Sequence, residues 1–484
     1  MTGAHAILSG LGALGVHLQR LVNDSRQVRP GDIFLAYPGE HSDGRDFIAR
    51  ALVAGAGAVL WEQQGFDWRN EWHTPNLAVA HLREQVGPIA SAFYGKPSQH
   101  LRMIGVTGTN GKTSCSHWLA QALTALDRKT AIVGTLGNGF PGALSAAINT
   151  TPDPIVLQGM LAEFLKHGAQ SVAMEVSSHG LAQGRVNGTH FDIAVLTNLT
   201  RDHLDYHGDM ASYAAAKQSL FFWPGLKCAV LNCDDEFGAQ LAAQLGDQGL
   251  KVMTYGFGEA DVRGSRLRLE PDGLALDITT SHGTAYLSAS VLGRFNAYNL
   301  LAVLAAMLAS GVALQEAVAV LGQVQPVAGR MQQLGGDGLP LVVVDYAHTP
   351  DALEKVLASL REQTRGRLLC VFGCGGNRDK GKRPLMGEVA ARLADFVVVT
   401  SDNPRHENPR AILDAIVAGM TGDYHEEADR AAAITLALHQ AKAGDIVLIA
   451  GKGHEVYQEI GDEKLPFSDT EVAARVLAGM RGGA

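Results

Sequence analysis

A glycine-rich turn that separates an apolar run from a helix-like segment constrains the fold of this chain more than any other feature. The apolar run begins at Arg102 and leads into Gly-Thr-Asn-Gly-Lys-Thr-Ser (108–114), and the segment from Cys115 to Leu126 follows. In a phosphate-binding loop, backbone N–H groups and the next helix N-terminus hold the anion, a lysine neutralises phosphate charge and a hydroxyl binds Mg²⁺. Lys112 and Thr113 stand at those two positions. The order therefore predicts a nucleotide-binding α/β unit.

One position departs from the strict pattern of such loops. The pattern places a glycine about five residues before the glycine that precedes the lysine, and this chain has Val106 there. An ordinary glycine turn is the alternative that the loop alone leaves open.

Composition excludes several classes of protein. The chain has 484 residues, of which 46% are hydrophobic and 18% charged, as in ordinary globular proteins. A net charge of −9 gives no electrostatic case for binding nucleic acid or an anionic membrane. The five cysteines lack the paired spacing of disulfide frameworks or zinc sites, which favours a reducing, cytoplasmic location.

Two apolar segments fit neither a signal peptide nor a membrane span. The N-terminus lacks the basic region of a signal peptide. Asparagine and serine interrupt the uncharged run between Phe295 and Leu314, so we expect a buried helix rather than a membrane span. Nothing in the sequence indicates an obligate protein partner.

Breaks near residues 95–98 and 324–330 predict three domains, at residues 1–99, 100–327 and 328–484. Strands alternate with helices in each, so the predicted class is α/β. We expect a small N-terminal α/β domain, a central P-loop ATPase-like domain with a mostly parallel sheet, and a C-terminal Rossmann-like domain. A strand-rich stretch from about 260 to 292 suggests a hairpin-like extension of the central domain.

Polar residues follow the predicted strands, where ligands of parallel α/β sheets usually bind. Glu175 and His203 follow two central strands and could complete a hard-cation site with Thr113. Lys217 lies in a helix-like segment, and the pattern alone favours a solvated surface charge. Four strands of the third domain also end in polar residues, which suggests a binding half that closes over the first site.

Other polar segments have two interpretations each. The turns at 24–26 and 40–45 are rich in turn-forming residues, so their composition is explained without a ligand. Asn296 and Asn299 could cap the uncharged helix or hydrogen-bond a purine edge.

Taken together, five motifs resemble the Mur ligase family over essentially the whole chain. They are Thr-Gly-Thr-Asn-Gly-Lys-Thr (107–113), Glu-Val-Ser-Ser-His (175–179), Thr-Asn-Leu-Thr-Arg-Asp-His-Leu-Asp-Tyr-His (197–207), Asp-Tyr-Ala-His-Thr-Pro-Asp (345–351) and Gly-Lys-Gly-His-Glu (451–455). The departure at Val106 fits the shorter phosphate loop of that family.

The resemblance implies ligands for each domain, carried over position by position. For ATP the matching positions are Gly108, Thr109, Asn110, Gly111, Lys112, Thr113, Ser114, Asn296, Arg330 and Asp345. For UDP-MurNAc-L-Ala-D-Glu they are Ser25, Glu40, His41, Ser42, Asn149, Thr150, Thr151, Ser177, Gln183 and Arg185, although Asn23 replaces an apolar residue often found beside them. For the incoming amino acid they are Arg378, Asp402, Asn403, Pro404, Arg405, Gly451 and Glu455.

The resemblance also implies Mg²⁺, with two ions expected, and catalytic roles for Lys112, Lys217 and His203. Thr113, Glu175, His203 and Lys217 match metal-site positions, and Lys217 matches a lysine carbamylated by CO₂ in this family, which reverses the pattern-based interpretation of that residue. Asp-Asn-Pro-Arg (402–405) resembles members that add meso-diaminopimelate, because arginine pairs in a bidentate fork with a carboxylate that lysine lacks.

The implied activity is ATP-dependent amide-bond formation through an acyl phosphate. A lysine-adding ligase and a folylpolyglutamate synthetase are the rivals within the family. A P-loop regulatory ATPase, which would hydrolyse ATP without an amine, is the rival from another class.

Overall fold

Short runs of fully buried residues alternate with helices along most of the chain, as expected for parallel sheets covered on both sides. The structure, a computed structural model, describes residues 3–40, 42–246 and 248–482. Two compact units are found, residues 1–260 with 305–312 and residues 261–304 with 313–484. In the described part of the chain, no helix has both the length and the apolar character needed to cross a membrane.

The N-terminal part of the first unit is a four-stranded parallel sheet in the order β1-β2-β3-β4, with helices packed beside it. Its elements are α1 (Ala4–Ala13), β1 (Leu21–Val22), β2 (Ile33–Ala36), α2 (Ile48–Val53), β3 (Ala58–Glu62), β4 (Asn76–Val79) and α3 (Leu82–Phe93). Every residue of β2 and β3 is buried, which explains why both read as continuous apolar segments.

The rest of the first unit is built on a larger sheet. Its elements are β5 (Arg102–Thr107), α4 (Lys112–Ala125), β6 (Thr130–Gly134), β7 (Gly137–Phe140), β8 (Ala143–Ser145), α5 (Pro154–Lys166), β9 (Ser171–Glu175), α6 (Ser178–Ala182), β10 (Ile193–Leu196), α7 (Leu204–His207), α8 (Met210–Gln218), β11 (Cys228–Asn232), α9 (Glu236–Gly246) and β12 (Lys251–Gly256). The strand order is β12-β11-β10-β5-β9-β6-β7-β8, parallel from β12 to β6 and antiparallel beyond it.

The register of this sheet positions the candidate site. Val106 in β5 pairs with Glu175 in β9, and Thr107 pairs with Leu196 in β10. The carboxyl ends of three neighbouring strands therefore meet at one edge, directly before the glycine-rich turn. Asp153 begins α5 by accepting a hydrogen bond from the Ile155 backbone N–H, with proline at the first helical position.

The second unit contains a second α/β sheet. Its elements are β13 (Val262–Glu270), β14 (Gly273–Thr280), β15 (Gly283–Ala289), α10 (Arg294–Ala309), α11 (Leu314–Leu321), β16 (Gln332–Gly335), β17 (Leu341–Asp345), α12 (Pro350–Gln363), β18 (Leu368–Phe372), α13 (Lys382–Leu393), β19 (Phe396–Val399), α14 (Pro409–Val417), β20 (His425–Glu426), α15 (Arg430–Gln440), β21 (Ile446–Ala450), β22 (Tyr457–Ile460), β23 (Glu463–Pro466) and α16 (Asp469–Gly482). The order is β16-β17-β21-β18-β19-β20, and only β16 is antiparallel to its neighbour.

The stretch from about 260 to 292, for which a hairpin-like extension was predicted, contains three strands. β13, β14 and β15 form a three-stranded antiparallel meander. The uncharged segment is a buried helix, α10, as predicted, but it ends earlier than the apolar pattern suggested. Gly311 has a φ of +74° and its N–H bonds to the Leu308 carbonyl, which closes the helix in a left-handed turn.

Candidate active site

The glycine-rich turn joins β5 to α4 as predicted. Gly108 and Gly111 have φ angles of +144° and +89°, a region in which glycine is favoured. The segment after β10 fixes the turn: Thr109 donates its N–H to the Asn198 carbonyl (2.8 Å), and Asn110 donates its N–H to Asn198 Oδ1 (3.0 Å). The segment after β10 therefore helps to hold the loop in its conformation.

Two lysines meet on this loop. Lys112 Nζ donates to the carbonyls of Gly108 (2.8 Å) and Thr109 (2.9 Å), and Lys217 Nζ donates to the same Gly108 carbonyl (2.9 Å). Only 1% of Lys217 is exposed, and its Nζ lies 4.5 Å from the ring centroid of Tyr213. The pattern-based prediction of a solvated surface charge is therefore wrong.

The surroundings of Lys217 change the pKa of its side-chain amine. Loss of hydration lowers its pKa well below the ordinary value, and the neighbouring Lys112 ammonium lowers it further. Both effects favour the neutral amine, which is the form that reacts with CO₂. The surroundings of Lys217 thus fit the carbamate that the family resemblance implies.

Of the four residues predicted to hold metal, Thr113 and Glu175 lie in direct contact. Thr113 Oγ1 donates to Glu175 Oε2 (3.0 Å), so a hydroxyl and a buried carboxylate lie side by side at the start of α4. These hard oxygen donors fit Mg²⁺, which takes few protein ligands besides phosphate and water. Within the described residues no hydrogen bond joins His203 to this pair.

His203 lies instead in an aromatic cluster beside the lysines. Its ring centroid is 4.8 Å from that of His179 and 6.0 Å from that of Tyr213. Burial lowers the pKa of His203; Asp202 opposes this effect, and the charges of Lys112 and Lys217 add to it. A neutral imidazole is the form that can bind a cation.

Several residues predicted to bind the muramoyl-dipeptide cluster near the end of β9 at Glu175. Thr151 Oγ1 donates to the Glu175 carbonyl (3.0 Å), and it also accepts the Ser177 N–H (2.9 Å). Arg185 Nη1 donates to the Thr151 carbonyl (2.9 Å), and the Thr150 hydroxyl lies 3.0 Å from that of Thr135. These contacts form one connected polar group.

Glu40, in the N-terminal part of the first unit, contacts two residues of the part built on the larger sheet. Its carboxylate accepts hydrogen bonds from Tyr206 Oη (2.7 Å) and Gln183 Nε2 (2.8 Å), and the Tyr206 bond is the main cause of its lowered pKa. Ser25 is buried in a short 3₁₀ turn, whereas Ser42 and Asn149 are exposed. His41 lies outside the described residues.

In the second unit, Arg330 lies close to Asp345, and both are residues predicted to bind the nucleotide. Asp345 accepts the N–H groups of Met331 and Ala347 (both 2.8 Å), and Arg330 opposes the burial that raises the pKa of Asp345. The Arg330 guanidinium also lies 4.8 Å from the Tyr346 ring centroid. Asn296 is buried and donates to the Leu292 carbonyl (2.7 Å), which makes it part of the start of α10.

The residues predicted to bind the amino acid form a network of opposite charges. Asn403 Nδ2 donates to Glu455 Oε2 (2.8 Å), and the fully buried Lys452 Nζ donates to Asn403 Oδ1 and Glu455 Oε2 (both 2.9 Å). Arg405 Nε donates to Glu459 Oε2 (2.9 Å). Two ion pairs, Lys452–Glu455 and Arg405–Glu459, thus flank one asparagine.

The other residues predicted to bind the amino acid lie around the turn at 402–405. Gly451 has a φ of +115°, and a Cβ there would lie 2.5 Å from Asp402 Oδ2, so the position requires glycine. A Cβ at Gly375 would lie 3.1 Å from Arg405 Nη1 and 3.7 Å from Cγ of the exposed Arg378. Pro404 is buried in the turn.

Sequence reasoning missed several contributors to these sites. Lys452 lies in the motif at 451–455 and Tyr206 in the motif at 197–207, so their positions in these motifs could have indicated a role at the site. Tyr213 precedes Lys217 by one helical turn, which places both on one face of α8. Thr135 and Glu459 lie outside every motif and carry no signal that sequence alone would show.

The comparisons with known proteins cover most of the chain. Residues 17–94 match the Mur ligase family, catalytic domain; residues 106–307 match the Mur ligase middle domain; and residues 329–453 match the Mur ligase, glutamate ligase domain.

Relatives and solved structures agree with these matches. The UDP-N-acetylmuramoyl-L-alanyl-D-glutamate--2,6-diaminopimelate ligase of Chromobacterium violaceum is 56% identical over 96% of this chain and 95% of its own length. The ligase of the same name from Nitrosomonas europaea is 52% identical over 98% and 95%. A solved structure with that name has a TM-score of 0.72 at 38% identity, covering 96% of this chain and 95% of its own.

A more distant structure, MurF of Thermotoga maritima in complex with ADP, has a TM-score of 0.66 at 20% identity over 96% of this chain and 99% of its own, and so it supports the fold alone. The three-domain α/β class predicted from sequence is confirmed. On its motifs, domain matches and full-length relatives, this chain belongs to the Mur ligase family.

Proposed function

We propose that this chain is an ATP-dependent ligase that joins meso-2,6-diaminopimelate to the D-glutamyl γ-carboxylate of UDP-MurNAc-L-Ala-D-Glu, a step of peptidoglycan synthesis. The observation that carries the proposal is the paired placement of Arg405 and Glu455 around Asn403. The distal end of diaminopimelate bears both a carboxylate and an ammonium, whereas that of lysine bears an ammonium alone. A guanidinium from the turn after β19 and a carboxylate from the loop after β21 complement both charges.

The glycine-rich loop supplies the phosphoryl-transfer half of this activity. The backbone N–H groups at the N-terminus of α4 attract phosphate, and Lys112 adds positive charge once it leaves the loop carbonyls that now accept its hydrogen bonds. The contacts from Asn198 keep the loop in place, so little reorganisation is needed when charge develops. Arg330 and Asp345 are proposed to hold the rest of the nucleotide.

Thr113 and Glu175 would hold Mg²⁺, with His203 and the Lys217 carbamate as the proposed ligands of a second ion. When bound, Mg²⁺ neutralises phosphate oxygens during transfer. Lys217 becomes an anion by adding CO₂ to its neutral amine with loss of a proton, and the nearby Lys112 ammonium stabilises that negative charge.

Two steps complete the proposed reaction. The γ-carboxylate of D-glutamate attacks the γ-phosphorus of ATP, which gives an acyl phosphate and ADP. The neutral amine of diaminopimelate then attacks the acyl carbon with its lone pair, and the tetrahedral adduct expels inorganic phosphate, which carries away one amine proton as the amide forms. The polar group around Thr151 and Arg185 is proposed to orient the dipeptide for the first step.

The three domain ranges 1–99, 100–327 and 328–484 are also proposed, and the ranges matched by the family domains support them. The proposed substrates are a sugar nucleotide, ATP and an amino acid, all soluble metabolites, which supports the expectation of a cytoplasmic enzyme.

Phosphate release should require both the sugar-nucleotide dipeptide and an amine. We expect ATP with Mg²⁺ and UDP-MurNAc-L-Ala-D-Glu to release little phosphate until meso-diaminopimelate is added, and the nucleotide product to gain the mass of one diaminopimelate minus water. The assay is a coupled phosphate measurement with mass spectrometry of the product. Steady ATP hydrolysis without any amine would instead favour a regulatory ATPase.

A further inference from the structure

The strand β22 runs beside the turn that carries Asn403 and Arg405. Glu459 donates its backbone N–H to Asn403 Oδ1 (3.0 Å), and its carbonyl accepts the Arg405 N–H (3.0 Å). The Arg405 carbonyl in turn accepts the Gly461 N–H (2.8 Å). Arg405 has a φ of +50°, a left-handed conformation that is uncommon for arginine, and these bonds hold it there.

The Glu459 side chain fixes the guanidinium of Arg405 as well. Glu459 Oε2 accepts from Arg405 Nε (2.9 Å), and the Gly376 carbonyl accepts from Arg405 Nη1 (2.9 Å). About a fifth of the Arg405 side chain and about a quarter of that of Glu459 are exposed, 21% and 27%, so this pair is partly shielded from water. Among the described residues Arg405 Nη2 has no hydrogen-bond partner.

The two contacts decide which donors remain for a ligand. A guanidinium carries five N–H groups in a rigid planar fork. With Nε bound to Glu459 and one Nη1 hydrogen bound to Gly376, the open donors are on Nη2 and the second hydrogen of Nη1. A carboxylate that approaches this end finds donors already aligned, instead of a flexible side chain with many rotamers.

We infer that Glu459 is a positioning residue for amino-acid selection, which holds the Arg405 fork so that its Nη end receives the distal carboxylate of the diamino acid. The inference rests on the proposed function. It adds a residue that lies outside the motifs and whose side chain acts through Arg405.

The charge around the turn supports this role. Glu459 balances Arg405, and Lys452 balances Glu455, so each ligand-binding charge is paired before the amino acid arrives. A site of paired opposite charges fits a zwitterionic end group, whereas an unpaired guanidinium would attract any anion. Glu459 is thus expected to orient the Arg405 guanidinium, although its carboxylate also competes with that of the ligand for the same side chain.

The test compares Glu459→Ala and Glu459→Gln with Glu463→Ala, an exposed carboxylate on the paired strand β23 of the same hairpin. Glutamine keeps an acceptor for Arg405 Nε, and alanine removes it. We expect Glu459→Ala to raise the KM for diaminopimelate about tenfold or more while the KM values for ATP and UDP-MurNAc-L-Ala-D-Glu change by less than about twofold. Glu459→Gln should recover most of the loss, and Glu463→Ala should behave as wild type.

Three results would overturn the inference. They are an unchanged or lowered KM for diaminopimelate in Glu459→Ala, an equal rise in all three KM values, and a Glu459→Gln variant as impaired as the alanine variant. Thermal melting of each variant separates unfolding from a kinetic effect, and the glutamine variant keeps the test valid if the alanine variant does not fold. Failure of the proposed function is distinguishable, because wild-type enzyme would then show no turnover with diaminopimelate.

Discussion

Replacement of Lys217 by alanine should lower kcat by about a thousandfold, the loss typical of removing a preorganised electrostatic group from an active site. The Nζ of Lys217 is buried against the Gly108 carbonyl, next to Lys112, so no water or neighbouring side chain replaces it easily. A proposed carbamate at this position would add a metal ligand that alanine lacks. The measurement is steady-state phosphate release with all three substrates saturating.

Lys227→Ala is the matched control, because Lys227 pairs with Asp192 at the surface, with 70% of its side chain exposed. Short carboxylates such as acetate should restore part of the Lys217→Ala activity by occupying the space of the carbamate. Labelling with ¹³C-bicarbonate should give a carbamate NMR signal in wild type that the variant lacks. A Lys217→Ala enzyme with near wild-type kcat would contradict the assignment.

Replacement of Arg405 by alanine should raise the KM for diaminopimelate about a hundredfold, while the KM for ATP stays within about twofold of wild type. The reason is the loss of a charged fork from the turn that contacts Asn403 and Glu459. Arg405→Lys should recover little, because an ammonium lacks the planar pair of donors. The measurement is initial rate against each substrate in turn.

The control for this variant is Arg392→Ala, an exposed arginine on α13 that pairs with Glu354. Its kinetics should match those of wild type. Equal increases in the KM for ATP and for diaminopimelate in Arg405→Ala would count against a role in amino-acid recognition.

The sheets were well predicted from sequence because their strands are buried on both sides. The runs at 131–133, 171–174, 193–196 and 228–231 are apolar without alternation, and each lies within a parallel strand. The polar residues that follow them remain predicted site residues, and the structure shows that the ends of β5, β9 and β10 converge on one edge of the sheet.

Lys217 shows where pattern reasoning fails. Three alanines directly precede it in α8, so no apolar stripe marks the buried face. Burial comes from packing against the loop after β5, more than a hundred residues earlier in the chain. The family resemblance corrected the prediction, but the helical spacing from Tyr213 was the only local sign.

Glu459 shows a second limit. Its strand is short and partly exposed. Arg405, which its side chain contacts, lies in a turn 54 positions earlier. A contact of that kind depends on how two loops at the edge of a sheet fold together. No spacing rule connects Glu459 to Arg405, so the structure was needed to find it.

The central claim is tested most directly by comparing meso-diaminopimelate with L-lysine as the amine, with ATP, Mg²⁺ and UDP-MurNAc-L-Ala-D-Glu held saturating. With diaminopimelate, the account predicts rapid phosphate release and a sugar-nucleotide tripeptide product. With L-lysine, it predicts a kcat/KM at least about a hundredfold lower, because lysine has no distal carboxylate for Arg405 to bind. Equal or faster turnover with L-lysine would contradict it.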